Sequence, residues 1–120
     1  MGFAGADYGM LTSLGDLPVE ATTIEYPAAR FMADYVTPIE GPEARSEARR
    51  FGQGVMVGGL LYKERLPVKV NTTYLLRSIN YIASDVLVAF RVVRQDSDGS
   101  IIIVWKLLKN YPRPKLARSN

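Results

Sequence analysis

Any chemistry in this chain must be done without histidine or cysteine, because its 120 residues contain neither. That excludes Ser-His-Asp and Cys-His nucleophile systems, imidazole and thiolate ligation of zinc and most transition metals, and every disulfide framework. Carboxylates, lysine, arginine, tyrosine and main-chain groups remain. Among them, Asp34 with Glu40 or Glu43 offers two carboxylates for general acid and base work, with Tyr35 or Tyr81 as proton donor. Nothing in that spacing forces the groups together, so the sequence assigns no catalytic residue, no cofactor and no metal.

Two further stretches imitate binding motifs. Gly52-Gln53-Gly54-Val55-Met56-Val57-Gly58-Gly59 is glycine-rich, but Val57 stands where a dinucleotide fingerprint needs its last glycine, and no Lys-Ser/Thr follows as in a P-loop. A bend, a bulge or close backbone packing accounts for these glycines better. Asp96-Ser97-Asp98-Gly99-Ser100 has carboxylates for calcium, yet Trp105 and Lys106 stand where an EF-hand loop closes with a bidentate glutamate. Asp-Gly between apolar runs reads instead as a hairpin turn.

The remaining candidate is cationic. If Asp98-Gly99 forms a two-residue turn, Phe90 faces Leu107, Val92 faces Trp105 and Arg91 faces Lys106, with Arg77 on the neighbouring strand. Like charges across a sheet repel, so Arg77, Arg91 and Lys106 outline an anion or acidic-partner site, with Glu40, Glu43 and Glu47 as internal acids for it. The plain alternative is that the three side chains run along apolar neighbours to water.

The elements that would position these groups are legible in patches. Residues 68–79, 86–94 (VLVAFRVVR) and 101–108 (IIIVWKLL) are rich in strand formers and separated by turn residues, which predicts an antiparallel β-meander over about 68–108. One face of it carries Val86, Val88, Phe90 and Val92 with Ile101, Ile103, Trp105 and Leu107 and is expected to be core. The other carries Leu87, Ala89, Arg91 and Val93 with Ile102, Val104, Lys106 and Leu108. Both are largely apolar, so both are expected to be covered, by helices, a second sheet or another subunit.

Upstream, Ala28, Phe31, Met32 and Tyr35 share one helical face behind Pro27, and Ala44, Ala48 and Phe51 share another behind Pro42. Whether the second helix runs through Val55 or gives way to a strand at Gly52 is open on periodicity alone. Residues 16–26 read weakly as extended. The expectation is an α+β fold with one or two N-terminal helices, a single domain over 16–110, a glycine-rich arm at 1–15 and a basic, Pro-interrupted tail at 111–120.

With 48% hydrophobic and 22% charged residues, the chain has the composition of one globular domain able to bury roughly two thirds of its unfolded surface. Met1 to Leu17 lacks the cationic start of a secretory signal, and the longest apolar stretch, about 12 residues at 51–62 with four glycines, is short of the roughly 18 needed to span a bilayer. A soluble, cytoplasmic protein is expected. The net charge of +3 hides an asymmetry: residues 1–60 hold four arginines against eight acids, net −4, and residues 61–120 hold eleven bases against four acids, net +7. Opposite halves favour association between copies or docking on an acidic partner.

These features point to a non-enzymatic interaction or structural subunit of a larger assembly, a homo-oligomer or a component bound to another protein. Its interface would include Leu87, Val93, Ile102, Val104, Leu108, Tyr111, Arg113 and Lys115. Two alternatives come from other classes. One is a ligand-binding or carboxylate-enzyme domain, with a cavity lined by Tyr74, Tyr81 and acids. The other is a nucleic-acid binder acting through its basic C-terminal half.

Overall fold

In the computed structural model, which describes residues 8–81 and 84–112, the chain is α+β. The order along the chain is β1 (Tyr8–Gly15), a 3-10 turn (Val19–Ala21), α1 (Pro27–Asp34), α2 (Gly41–Gln53), β2 (Val55–Val57), β3 (Leu60–Tyr62), β4 (Thr72–Asn80), β5 (Ser84–Gln95) and β6 (Ile101–Asn110). Strands β1, β4, β5 and β6 form one antiparallel sheet in that spatial order, and β2 pairs with β3 in a small hairpin. No helix among the described residues is long and apolar enough to cross a membrane.

Residues 8–15, expected as part of an arm, are instead a strand. Their glycines obscure a period-2 pattern in which Tyr8, Met10 and Thr12 point into the core while Gly9 and Leu11 point away. Gly9 is itself required there, because a Cβ at this position would lie 2.8 Å from the Arg77 carbonyl oxygen on β4. The described tail stops at Pro112, so Arg113 and Lys115 lie outside the described residues, and so do residues 1–7 of the arm.

The meander is present with corrected limits: residues 68–71 precede β4 as loop, and β6 runs to Asn110. Its register is shifted by two residues from the expected one. Phe90 faces Trp105, Val88 faces Leu107, Ala89 faces Lys106 and Arg91 faces Val104. The physical reason is the turn. Residues 96–100 form a five-residue loop in which the Gly99 N–H bonds the Asp96 carbonyl, which moves the register by one residue, and a bulge at Val93 moves it by a second; a further bulge at Leu108 takes one back beyond Val88. A two-residue shift keeps each side chain on its face, whereas a one-residue slip would have inverted the sheet.

The faces, however, exchange roles. Both helices lie over the side carrying Tyr8, Met10, Leu75, Arg77, Ile79, Leu87 and Ala89, which with Ala28, Ala29, Met32, Ala44 and Phe51 forms the core. The side carrying Phe90 and Trp105, expected as core, is the open one. Alternation cannot choose between two apolar faces; helix packing does, and the helices bring small residues (Ala28, Ala29, Ala33, Ala44) that let them approach the sheet closely. On the open side, the segment around Pro67 to Lys69 closes over one part of the sheet, where the buried Tyr74 hydroxyl accepts from the Lys69 N–H at 2.8 Å and donates to the Pro67 carbonyl at 3.2 Å.

The ambiguity over residues 52–62 resolves into helix followed by hairpin. α2 ends at Gln53, and Gly58-Gly59 occupies the tip between β2 and β3 with φ of 57° and 82°. Two consecutive left-handed residues are what a tight two-residue hairpin turn demands. This hairpin docks against β1 through paired backbone hydrogen bonds between Leu11 and Lys63, so the β1 edge of the sheet is partly closed. Residues 16–26 are irregular around the 3-10 turn rather than extended.

Candidate functional site

The three cations singled out in the sequence share one face of the sheet but do not converge. Arg77 is the most buried charged residue of the core, with its side chain 1% exposed and that of Asp85 3% exposed. Its Nε and Nη2 donate to the two Asp85 carboxylate oxygens at 2.7 and 2.8 Å, while Nη1 donates to the carbonyls of Met32 at 2.6 Å and Tyr35 at 2.9 Å. Those carbonyls lie at the C-terminal end of α1, where the Met32 carbonyl has only a long 3.4 Å bond from the Tyr35 N–H and the helix dipole is negative. Arg77 therefore bolts α1 to the sheet, and the Tyr111 ring stacks on it at 3.7 Å.

Arg91 and Lys106 are held separately. Arg91 donates to Asp16 Oδ1 at 2.6 Å, to the Leu17 carbonyl at 3.2 Å and to Thr73 Oγ1 at 3.3 Å. Lys106 Nζ reaches the Thr22 carbonyl at 3.0 Å. The acids that meet these cations are Asp85 and Asp16, not Glu40, Glu43 or Glu47. One signal for the first pair was available: a tight β4–β5 connection sets Ile79 opposite Asp85, which puts Asp85 diagonal to Arg77, within reach of a long side chain.

The carboxylates considered for catalysis are dispersed as well. Asp34 lies 3.7 Å from Arg30 on the exposed face of α1 and lines one cleft of about 360 Å³, with Tyr35, Arg77, Asp85 and Tyr111 among its other walls. Glu43 lines a different cleft of about 500 Å³ with Ser46 and Glu47. Tyr81 donates to the Pro38 carbonyl at 2.7 Å, and Tyr74 lines a third cleft on the opposite side of the sheet. Tyr35 meets neither Asp34 nor Glu43. Its hydroxyl bonds the Tyr8 hydroxyl and donates to Glu47 Oε1 at 2.8 Å, against the Phe51 ring. Burial pushes both phenols above their ordinary range; for Tyr35 the neighbouring Tyr8 and Glu47 add to it. This cluster spans residues 8 to 47, a separation at which no local pattern points to it.

The largest unsatisfied feature is β6. Ile101, Ile102, Ile103, Val104, Trp105 and Leu107 are all exposed, Trp105 to 65% and Leu107 to 49%. They include residues from both faces of the strand, and Val93 on β5 is exposed beside them. β6 is also the end strand of the sheet, and among the described residues nothing pairs with its outer edge. Of the expected interface residues, Val93, Ile102 and Val104 belong to this surface. Leu87 is fully buried beneath the helices, Leu108 is half-buried against the core, and Tyr111 is half-buried with its hydroxyl donating to the Ala33 carbonyl.

Natural edge strands are usually short, interrupted by proline or studded with outward lysine. β6 is ten residues long and has no proline, and Lys106 is drawn under the sheet toward Thr22. An apolar run on both faces belongs to a strand with neighbours on all sides. The arrangement lends itself to backbone pairing with another chain, a recurrent mode of recognition.

Comparison with protein-family models finds no match, and comparisons with curated protein sequences and with solved structures find none either.

Proposed function

We propose that this protein is a non-enzymatic assembly subunit whose sheet is completed by another polypeptide along β6. The observation that supports this reading is a strand with the composition of an interior strand standing at the end of its sheet, exposed on two faces and one edge. Residues 8–15 are committed to the sheet, so the docking surface rests on β6 and its neighbours rather than on that arm.

Burying the Ile103, Trp105 and Leu107 side chains would contribute on the order of 1.5–3 kcal/mol each if burial were complete. In the isolated chain these residues are 41%, 65% and 49% exposed, so roughly half of that gain is withheld. The test compares the native chain with Ile103→Lys and Trp105→Lys variants by light scattering across concentration and by thermal melting. The native chain should associate, and the variants should remain monomeric with melting temperatures within a few degrees of it, since neither side chain supports the core. A native chain that stays monomeric at high concentration, with the solubility of the lysine variants, overturns the proposal.

A further inference from the structure

Resting on that reading, we infer that the occupant of the β6 edge is a second copy of this chain, paired antiparallel about a two-fold axis at Trp105. In such a pair, directly opposed residues share a face, so the axis passes through a residue and not between two. Placing it at Lys106 would set two ammonium groups against each other. Placing it at Trp105 opposes Trp105 to its own copy, Ile103 to Leu107 and Val104 to Lys106, with no like charges in register.

The ends of the strand agree with this choice. β6 begins beside the acidic 96–100 loop and carries Lys109 at its other end, one residue before the strand stops at Asn110. Asp98 is bonded only by Ser100, and Lys109 meets only the Tyr111 ring, so among the described residues neither has an ion-pair partner. Antiparallel pairing about Trp105 brings the Lys109 end of each strand to the partner's 96–100 loop, at both ends of the interface. Parallel pairing would set loop against loop and lysine against lysine.

Edge pairing also accounts for exposure on both faces. Stacking two open faces as a sandwich would cover Ile103, Trp105 and Leu107 but leave Ile102 and Val104 in water. Edge pairing gives each of the five a cross-strand neighbour and extends the main sheet from four strands to eight.

The absence of native cysteine makes the register directly readable. Opposed Cα atoms in an antiparallel pair lie about 4.5–5.5 Å apart, within disulfide reach, whereas Ile103 or Leu107 and its own copy are offset by four residues, about 13 Å, and Ile101 and its copy by eight, about 27 Å. Under mild oxidation, Trp105→Cys should give a covalent dimer and Ile101→Cys should not. To keep the tryptophan, Ile103→Cys and Leu107→Cys chains are mixed; the mixture should cross-link and neither chain alone should. Asp98→Lys should weaken the dimer about tenfold, counting both symmetric contacts, and Asp98→Lys with Lys109→Asp should restore most of it. No linkage at 105 and none in the 103/107 mixture overturns the inference. If the native chain still dimerises in that case, only the self-pairing register fails; a native chain that is monomeric at every concentration overturns the second-copy occupant, and one that is also as soluble as the lysine variants overturns the assembly reading as well.

Discussion

β4 and β6 are built from similar residues and meet opposite fates. β4 (TTYLLRSIN) is buried or half-buried along its whole length and takes even an arginine into the core, whereas β6 (IIIVWKLLKN) has no fully buried residue despite its six exposed large apolar side chains. The difference is position, since β4 has strands on both sides and helices above it, while β6 has one neighbour. Apolar content therefore measures what a strand is able to bury, and the topology sets what it does bury. The excess at β6 is the part of this molecule not spent on its own stability.

The comparison breaks most visibly at Arg77. Replacing it with Met leaves Asp85 buried without its cation and takes from the Met32 and Tyr35 carbonyls their guanidinium donor, an expected loss of about 3–5 kcal/mol in urea denaturation at neutral pH. Arg77→Met with Asp85→Leu should recover part of that loss, because the uncompensated charge is gone. A loss under about 1 kcal/mol for the single variant would show that α1 is held to the sheet by its apolar contacts alone.

A matched pair sharpens the contrast. Leu75→Ala on β4 should cost about 2–5 kcal/mol, the range for a buried leucine whose cavity does not collapse. Leu107→Ala on β6 should cost less than about 1 kcal/mol at a concentration where the chain is monomeric, and more as association sets in. Equal costs at low concentration would mean that β6 is covered within the monomer.

The smallest effect concerns alkaline pH. Tyr8 and Tyr35 are neutral when protonated, and burial raises their folded values above the roughly 10 of an unfolded tyrosine. The unfolded chain therefore releases these protons first. Their contribution is full below about pH 10 and falls as pH climbs toward the folded values, by at most about 1.4 kcal/mol per pH unit for each phenol. Denaturation between pH 8 and 11 should show this decline, shallower in Tyr35→Phe; an unchanged slope would place both hydroxyls in contact with water.

Much of this architecture was legible in the residues themselves. The α+β class, the 86–94 and 101–108 strands, the turn at Asp96 to Ser100 and both helices follow from periodicity, turn chemistry and proline placement, which act over a few residues. So does the exclusion of histidine and cysteine chemistry, a matter of composition. What acted at long range was hidden. β1 was masked by its glycines, and the Tyr8–Tyr35–Glu47 cluster joins three elements with no shared pattern.

Two apolar faces are equivalent to alternation, so only the packing of α1 and α2 could decide that Leu87 goes inside and Phe90 outside. The five-residue loop and the bulge at Val93, not strand composition, placed Arg91 against Val104 and kept it apart from Lys106. Local sequence settles which segments become strands and helices because backbone preference is a short-range property. Which face is buried, which charges meet and which edge stays open depend on where the chain returns in space, and that was decided by the tertiary structure.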